Sequence, residues 1–440
     1  MKEKLVLLKN NKGFIKYFRN TSWVLAEKVF RMFVGMFVAV WVARYLGPSQ
    51  FGLLSYAISF VGLFTSISTL GLDNIIVREL VVNEEKRDLF IGTAFLLKFL
   101  GAILVLIMLY IAIQFTTIGK FTQTLIFIIA SSCVFQSFNV IDFHFQSKVL
   151  SKYIVFANSI VFLISSILKV VLIFVNAPLV YFAIIILVDS FFLAIAYLFF
   201  YDKNHLSFID WKFNKAIAYS LLKDSWPLIL SGLVVSLYMK IDQVMIKEML
   251  GDNSVGQYSA AVKLSEAFYF IPVVISASVF PAILNAKKNN TSLYNSRLQK
   301  LFDMMVWTGV CIALPMSFLS NWIINLLYGE AYSESGEVLM IHIWTGVFVF
   351  LGVSSSKWFV SENLQKYTFY RTLSGAIINI ILNLLLIPVL SIYGAALASL
   401  ISQFVASYLF NFLNIKTIKI FKMQTNAFFL PLRKLGFKYE

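Results

Sequence analysis

Ten charged residues lie inside stretches of this chain that are otherwise apolar enough to cross a bilayer: Glu27, Lys28, Arg31, Lys98, Lys169, Asp189, Lys240, Asp242, Lys263 and Glu266. A charge held at mid-bilayer costs about 2.5–3.5 kcal/mol on insertion scales, so these residues are expected to face a shared polar interior rather than lipid. Six of the ten are basic. Arg31, Lys98, Lys169, Lys240 and Lys263 are therefore expected to give a cavity of net positive charge, suited to an anionic passenger such as a phosphate or pyrophosphate group. Lys28 is placed near the edge of the apolar region, where a long side chain reaches back to water. The acids Glu27, Asp189, Asp242 and Glu266 have two possible roles. They could titrate with a coupling proton or bind sodium, or they could pair internally: Glu27 with Arg31, Glu266 with Lys263, and Asp189 or Asp242 with a lysine on another helix. Such pairing leaves two cations over.

Helical spacing groups some of these residues. Asn20, Glu27 and Arg31 share one face at i, i+7 and i+11, and Ser236, Lys240, Gln243 and Lys247 share another at i, i+4, i+7 and i+11. His342 reads as a packed polar residue, while His144 and His205 fall in polar connections.

The elements that must position these groups are membrane helices. Hydrophobic residues make up 59% of the 440, mean hydropathy is +0.81, and apolar runs of roughly 20 residues recur along the chain. Twelve spans are expected, at about 20–44, 52–72, 89–114, 122–141, 153–175, 180–201, 225–245, 256–284, 301–327, 338–358, 367–388 and 393–414. They leave no room for a sizeable soluble domain. The first span follows a lysine-rich head but carries Glu27, Lys28 and Arg31 and lacks a small-x-small cleavage site, so it is read as a retained helix. Cys133 and Cys311 both fall in spans and suit neither a disulfide framework nor a metal site.

The net charge of +15 would suit nucleic acid, but its distribution argues for topology instead. With the N-terminus placed on the cytoplasmic side, 28 Lys and Arg fall in cytoplasmic segments, Arg78 and Arg371 among them, against Arg44, Lys120 and Lys247 outside. That bias is a positive-inside signal and puts both termini in the cytoplasm. The loops could also hold anionic lipid headgroups weakly.

The longest polar connection, near Tyr201–Lys223, leaves six spans on each side. The expected division is a six-helix bundle over 1–201, a cytoplasmic linker over 202–224, a second bundle over 225–415 and a basic cytoplasmic tail over 416–440. The run from Leu46 to Ala57 matches the run from Leu250 to Ala261 at five of twelve positions: Leu46, Gly47, Gly52, Ser55 and Ala57 recur as Leu250, Gly251, Gly256, Ser259 and Ala261. Each copy follows the first span of its half, so the halves read as parallel repeats. In each copy Leu-Gly is expected to end one helix and the second Gly to permit close approach as the next begins. Pro272, Pro281 and Pro315 are expected to bend spans eight and nine.

Several chemistries are argued against. The Gly119-Lys120 pair has Gln114 where a phosphate-binding loop needs its first glycine, and no H-E-x-x-H, G-x-S-x-G or Cys/His cluster occurs. Outer loops are too short for a catalytic domain. No enzyme activity, metal or other cofactor is expected, apart from coupling to H+ or Na+.

Four sets of residues carry a family likeness. They are Ala43-Arg44-Tyr45-Leu46-Gly47-Pro48 with Phe51-Gly52, Gly71-Leu72 with Arg78, and Leu327-Tyr328-Gly329 with Tyr332. The fourth is Asn379, Asn383 and Leu386-Ile387-Pro388 followed by Tyr393-Gly394-Ala395-Ala396-Leu397-Ala398. With these, the chain resembles the polysaccharide-transport branch of the multidrug/oligosaccharidyl-lipid/polysaccharide exporter superfamily, in particular the Wzx-type O-antigen flippases. The resemblance implies an all-α polytopic fold of two six-helix bundles around a central cavity. It implies transfer of an undecaprenyl-pyrophosphate-linked oligosaccharide from the cytoplasmic to the periplasmic leaflet of a bacterial inner membrane, by alternating access. A glycan polymerase and a chain-length regulator are candidate partners. The competing expectations are export of a drug, flipping of the peptidoglycan precursor, or a membrane-embedded glycan-processing enzyme.

Overall fold

The computed structural model describes residues 12–116 and 118–434. The lysines of the head before residue 12 and the last six residues lie outside that range. Among the described residues there is no strand; the chain is a succession of helices. Backbone N–H and C=O groups find no partner in hydrocarbon, so helices satisfy them within each segment. Among the described residues, ten helical stretches are long and apolar enough to cross a bilayer. Two of these contain an internal break. Gly47 adopts φ 68° and ψ 169° inside the helix Lys12–Thr69, with Pro48 next to it. Ser391 adopts φ 54° and ψ −140° inside Gln365–Ser407, three residues after Pro388. Both breaks fall where the sequence places a connection, between the first and second and between the eleventh and twelfth spans.

The chain forms two compact units. Among the described residues one comprises 12–45 and 57–236, the other 46–56 and 237–434. The division therefore falls inside the helix Lys215–Leu250 rather than in the polar connection before it.

In the first unit, Leu72, Ile76, Ile91, Val140, Ile141, Ala157 and Tyr201 form the centre of the packing. The segment expected as a linker is docked onto this unit. Lys212 N donates to Asp88 O (3.2 Å), Asn214 N to Thr93 Oγ1 (3.0 Å) and Trp211 Nε1 to Tyr201 Oη (3.2 Å). A β-carbon on Gly92 would lie 2.6 Å from the Lys212 nitrogen, so only glycine admits this connection. The first turns of Lys215–Leu250 are held the same way. Leu228 fills the space beside Gly71, the Ser66 hydroxyl fills that beside Gly232, and Arg78 Nη2 meets Asp224 Oδ2 at 2.7 Å.

In the second unit the centre is Ile283, Leu298, Phe302, Met305, Leu351 and Phe359. Part of the residues beyond 415, expected as tail, belongs to it. The helix Ile418–Phe428 buries Ile420, Gln424 and Ala427. Its Gln424 Nε2 donates to Ser355 Oγ (2.8 Å) and its Ala427 carbonyl accepts from Trp307 Nε1 (3.0 Å). Lys419 and Lys422 remain on the exposed face, which explains how a basic segment is also a packed one.

The two glycine motifs meet inside this second unit. The missing side chain of Gly52 leaves room for the Asp252 carbonyl, and that of Gly256 for the Pro48 carbonyl. The expected close approach is thus between repeats: each motif's second glycine receives the backbone that follows the other motif's first glycine. Gly47 and Gly251, at φ 68° and 88°, supply the left-handed turns that make the crossing possible.

Candidate functional site

Polar residues gather at two places, one within each unit. In the first unit the helix carrying Glu27 and Arg31 is fastened by Asn20, whose Oδ1 accepts from Ser151 N (2.8 Å) and whose Nδ2 donates to Ser151 Oγ (3.1 Å). Glu27 is 7% exposed. Arg31 Nη1 donates to Glu27 Oε1 at 3.2 Å, and the guanidinium lies 5.2 Å from the Phe162 ring centre. This expected pair is formed. Lys98 is buried, with Nζ 3.0 Å from Asp73 Oδ1 and 4.7 Å from the Phe143 ring centre. A long side chain inside an apolar helix thereby ends on a carboxylate and an aromatic face.

Two adjoining cavities lie beside these pairs. One of about 450 Å³ is lined by Arg31, Asp73, Asp142, Asn158 and Tyr197 among others. The second, of about 520 Å³, is lined by Asn20, Glu27, Lys28, Asp142, Gln146 and Asn158 among others. Asp142, Gln146 and Asn158 border both. Tyr197 Oη donates to Asn158 Oδ1 at 2.9 Å, which leaves the Asn158 NH2 group to donate elsewhere. Asp142 has no ion-pair partner within 4 Å among the described residues.

Sequence reading missed Asp73 and Asp142. It ends the fourth span at Ile141, whereas a 3₁₀ turn over Ser137–Asn139 leads into a further helix, Val140–Ser147, that carries Asp142 on to the cavity. The spacing of Asp142 and Gln146, at i and i+4 directly after an apolar run, is the signal that was available.

Lys169 and Asp189 lie outside both cavities. Neither has an ion-pair partner within 4 Å among the described residues, and Asp189 shares a narrow crevice with Ser165.

In the second unit the centre is Asp242, 6% exposed. Tyr258 Oη donates to its Oδ2 at 2.7 Å, Asn383 Nδ2 to its Oδ1 at 2.6 Å, and Ser399 Oγ to its Oδ2. Asn379 Oδ1 accepts from the same Asn383 amide at 3.1 Å. Among the described residues Asn383 Oδ1 and Asn379 Nδ2 are buried without a partner, and no cation stands within 4 Å of Asp242. Nearby, His342 Nδ1 is 2.6 Å from Ser265 Oγ, and its ring lies edge-on to Tyr258. Buried polar groups in such numbers must be mutually satisfied or charged by a ligand, because each orphan costs about 1–3 kcal/mol.

Of the remaining expected site residues, Lys263 Nζ sits 4.3 Å from the centre of the Phe51 ring. Lys240 and Glu266 are half-buried with no ion-pair partner within 4 Å among the described residues, so the expected Lys263–Glu266 pair is not formed at that distance. Arg371, expected in a cytoplasmic loop, is 6% exposed within the helix Gln365–Ser407. Its Nη2 donates to Gly352 O (2.8 Å) and Ser356 Oγ (2.6 Å), and its Nη1 has no partner among the described residues. Arg371 is the seventh residue of this helix and lies inside the expected span 367–388, so it belongs with the span rather than with the loop.

Residues 17–287 match the family model described as polysaccharide biosynthesis protein, and residues 227–385 match the MatE model. A Shigella dysenteriae protein named "Putative O-antigen transporter" is 27% identical over 175 residues, 40% of this chain and 43% of that protein. The chain thus spans less than half the length of that relative. The capsular polysaccharide biosynthesis protein CapF of Staphylococcus aureus is 21% identical over 88% of this chain and 96% of its own. Among solved structures, the lipid II flippase MurJ in an inward closed conformation superposes with a TM-score of 0.70 at 17% identity, covering 94% of this chain and 93% of its own. At that identity the likeness speaks for the fold, which is that of the multidrug/oligosaccharidyl-lipid/polysaccharide exporters.

Proposed function

The chain belongs to the polysaccharide biosynthesis protein family, and from that premise we propose that it is a flippase for a lipid-linked glycan. In this reading it moves an undecaprenyl-pyrophosphate-linked oligosaccharide, an O-antigen or similar surface-glycan unit, from the cytoplasmic to the periplasmic leaflet by alternating access. It resides in the inner membrane with both termini cytoplasmic, acts as a transporter rather than an enzyme, and hands the unit to a glycan polymerase and chain-length regulator. The relatives from Shigella and Staphylococcus, named for O-antigen transport and capsule biosynthesis, favour a surface glycan over the peptidoglycan precursor or a drug.

One observation carries the reading: a polar cavity bordered by Arg31, Asp142, Asn158 and Tyr197 inside a body of apolar helices. A purely structural bundle has no use for groups that are so costly to hold there. The lipid tail stays in hydrocarbon while the hydrophilic end enters polar space, so the bilayer's barrier to sugars is bypassed.

Asp242 is the acid we assign to coupling. Its carboxylate is buried and held by three hydrogen-bond donors with no cation within 4 Å among the described residues, so a bound cation would balance its charge. Its neighbours Ser399 and Tyr258 offer oxygens, and rotation of the Asn383 amide would turn its unpaired Oδ1 onto the carboxylate. A cation held between the two oxygens makes that arrangement favourable. The test is whether transport by membrane vesicles follows a sodium gradient, a proton gradient, or neither.

A further inference from the structure

The charges of the first unit's cavity have a balance that the sequence alone did not show. Arg31 is held by Glu27 at 3.2 Å and Lys98 by Asp73 at 3.0 Å. Asp142, which borders both cavities, has no ion-pair partner within 4 Å among the described residues. A pyrophosphate placed here would meet three carboxylates, Glu27, Asp73 and Asp142, with Arg31 and Lys98 already engaged and Lys28, on the wall of the second cavity, left to face it without an ion-pair partner within 4 Å among the described residues. Coulombic repulsion in a site of low dielectric makes that costly.

The same walls suit a different chemistry. Carboxylates and amides both accept hydrogen bonds, amides also donate, and vicinal hydroxyls on a sugar ring offer one donor and two acceptors each. Asp142, Gln146 and Asn158 supply that mixture on the shared border of the two cavities. Asn158 is preset by Tyr197, whose hydroxyl occupies its carbonyl oxygen and so fixes the NH2 group as donor. Phe143 and Leu193 add apolar surface to the wall of the first cavity, where the C–H face of a pyranose can lie. Volumes of about 450 and 520 Å³ fall in the ordinary range of ligand pockets, roughly 300–1,000 Å³.

We propose that this cavity is a sugar-reading site: it binds an uncharged, hydroxyl-rich ring of the glycan through Asp142, Asn158, Gln146 and Tyr197, and the pyrophosphate is held elsewhere. The proposal rests on the flippase reading and narrows it, since it makes these residues the determinants of which glycan is accepted. It also reverses the expectation that Arg31 and Lys98 capture the anionic group.

The test uses the full chain in lipid nanodiscs and two probes: undecaprenyl pyrophosphate alone, and the glycolipid extracted from cells lacking this chain. Asp142→Asn should weaken binding of the glycolipid about tenfold and Tyr197→Phe about fivefold, as expected for the loss of a charged and a neutral hydrogen bond. Both variants should bind undecaprenyl pyrophosphate as the parent does. Equal weakening for the two lipids would make the cavity a pyrophosphate site and overturn the proposal, as would unchanged glycolipid binding. Failure of the parent chain to bind either lipid would instead sink the flippase reading itself. Each variant is first matched to the parent in thermal melting. If either does not fold, Gln146→Ala at an exposed cavity position replaces it and should weaken glycolipid binding alone, about fivefold.

Discussion

The carbonyl oxygen of Asp252 occupies the space that a β-carbon on Gly52 would need, and the Pro48 carbonyl stands in the same relation to Gly256. The two contacts exchange under the repeat that relates 46–57 to 250–261. Backbone meets backbone at both, so nothing flexible can give way. Gly52→Ala or Gly256→Ala should each lower the stability of the purified chain by about 1–3 kcal/mol, read as an earlier thermal transition. Gly119→Ala, at a glycine with open space around it, should leave the transition unchanged.

The Glu27–Arg31 pair gives a second prediction. Arg31 is 43% exposed and Glu27 nearly buried, so removing the cation strands a carboxylate, whereas removing the acid strands a group that reaches solvent. Arg31→Gln should therefore destabilise more than Glu27→Gln, and the double variant should be less destabilised than the sum of the two. A double-mutant cycle by thermal or denaturant melting in detergent measures the coupling, expected at about 1–3 kcal/mol.

For Asp242 the expectation concerns ions. If its carboxylate carries a coupling cation, the thermal transition of the purified chain should rise with added sodium, and Asp242→Asn should flatten that response. The isosteric amide retains hydrogen bonding with Ser399 and Tyr258, so the variant should remain folded. An unchanged response in Asp242→Asn would remove Asp242 from coupling.

Arg371 makes two hydrogen bonds, to Gly352 and Ser356, from one guanidinium nitrogen. Lysine has the charge but not the planar fork, and its ammonium bears a larger desolvation cost. Arg371→Lys should destabilise by about 1–2 kcal/mol, measured by melting, despite conserving charge.

These residues also show how far the sequence could be read. Gly47, Gly52, Gly251 and Gly256 announced themselves because a repeat and a left-handed turn both leave a local signature. So did the Glu27–Arg31 pair, whose i, i+4 spacing is a property of one helix. Asp142 did not, because hydropathy locates a helix by its apolar middle and is blind to helix that continues past it, while Arg371, inside the span 367–388, reads as loop charge because a basic residue in the first turns of a span counts as a topology signal. Ile420 and Gln424 were hidden for the related reason that an amphipathic segment rich in lysine has the composition of a loop. The Asp242 cluster draws on residues 141 and 157 positions away, Asn383 and Ser399. Only the fold brings those together.

The central claim, translocation of a lipid-linked glycan, is tested most directly by deleting the gene while the rest of its pathway remains intact and locating the glycolipid that accumulates. The account predicts single oligosaccharide units on the undecaprenyl-pyrophosphate carrier, confined to the cytoplasmic leaflet, with no surface polymer. Units accumulating on the periplasmic leaflet would contradict it, because translocation would then have occurred without this chain.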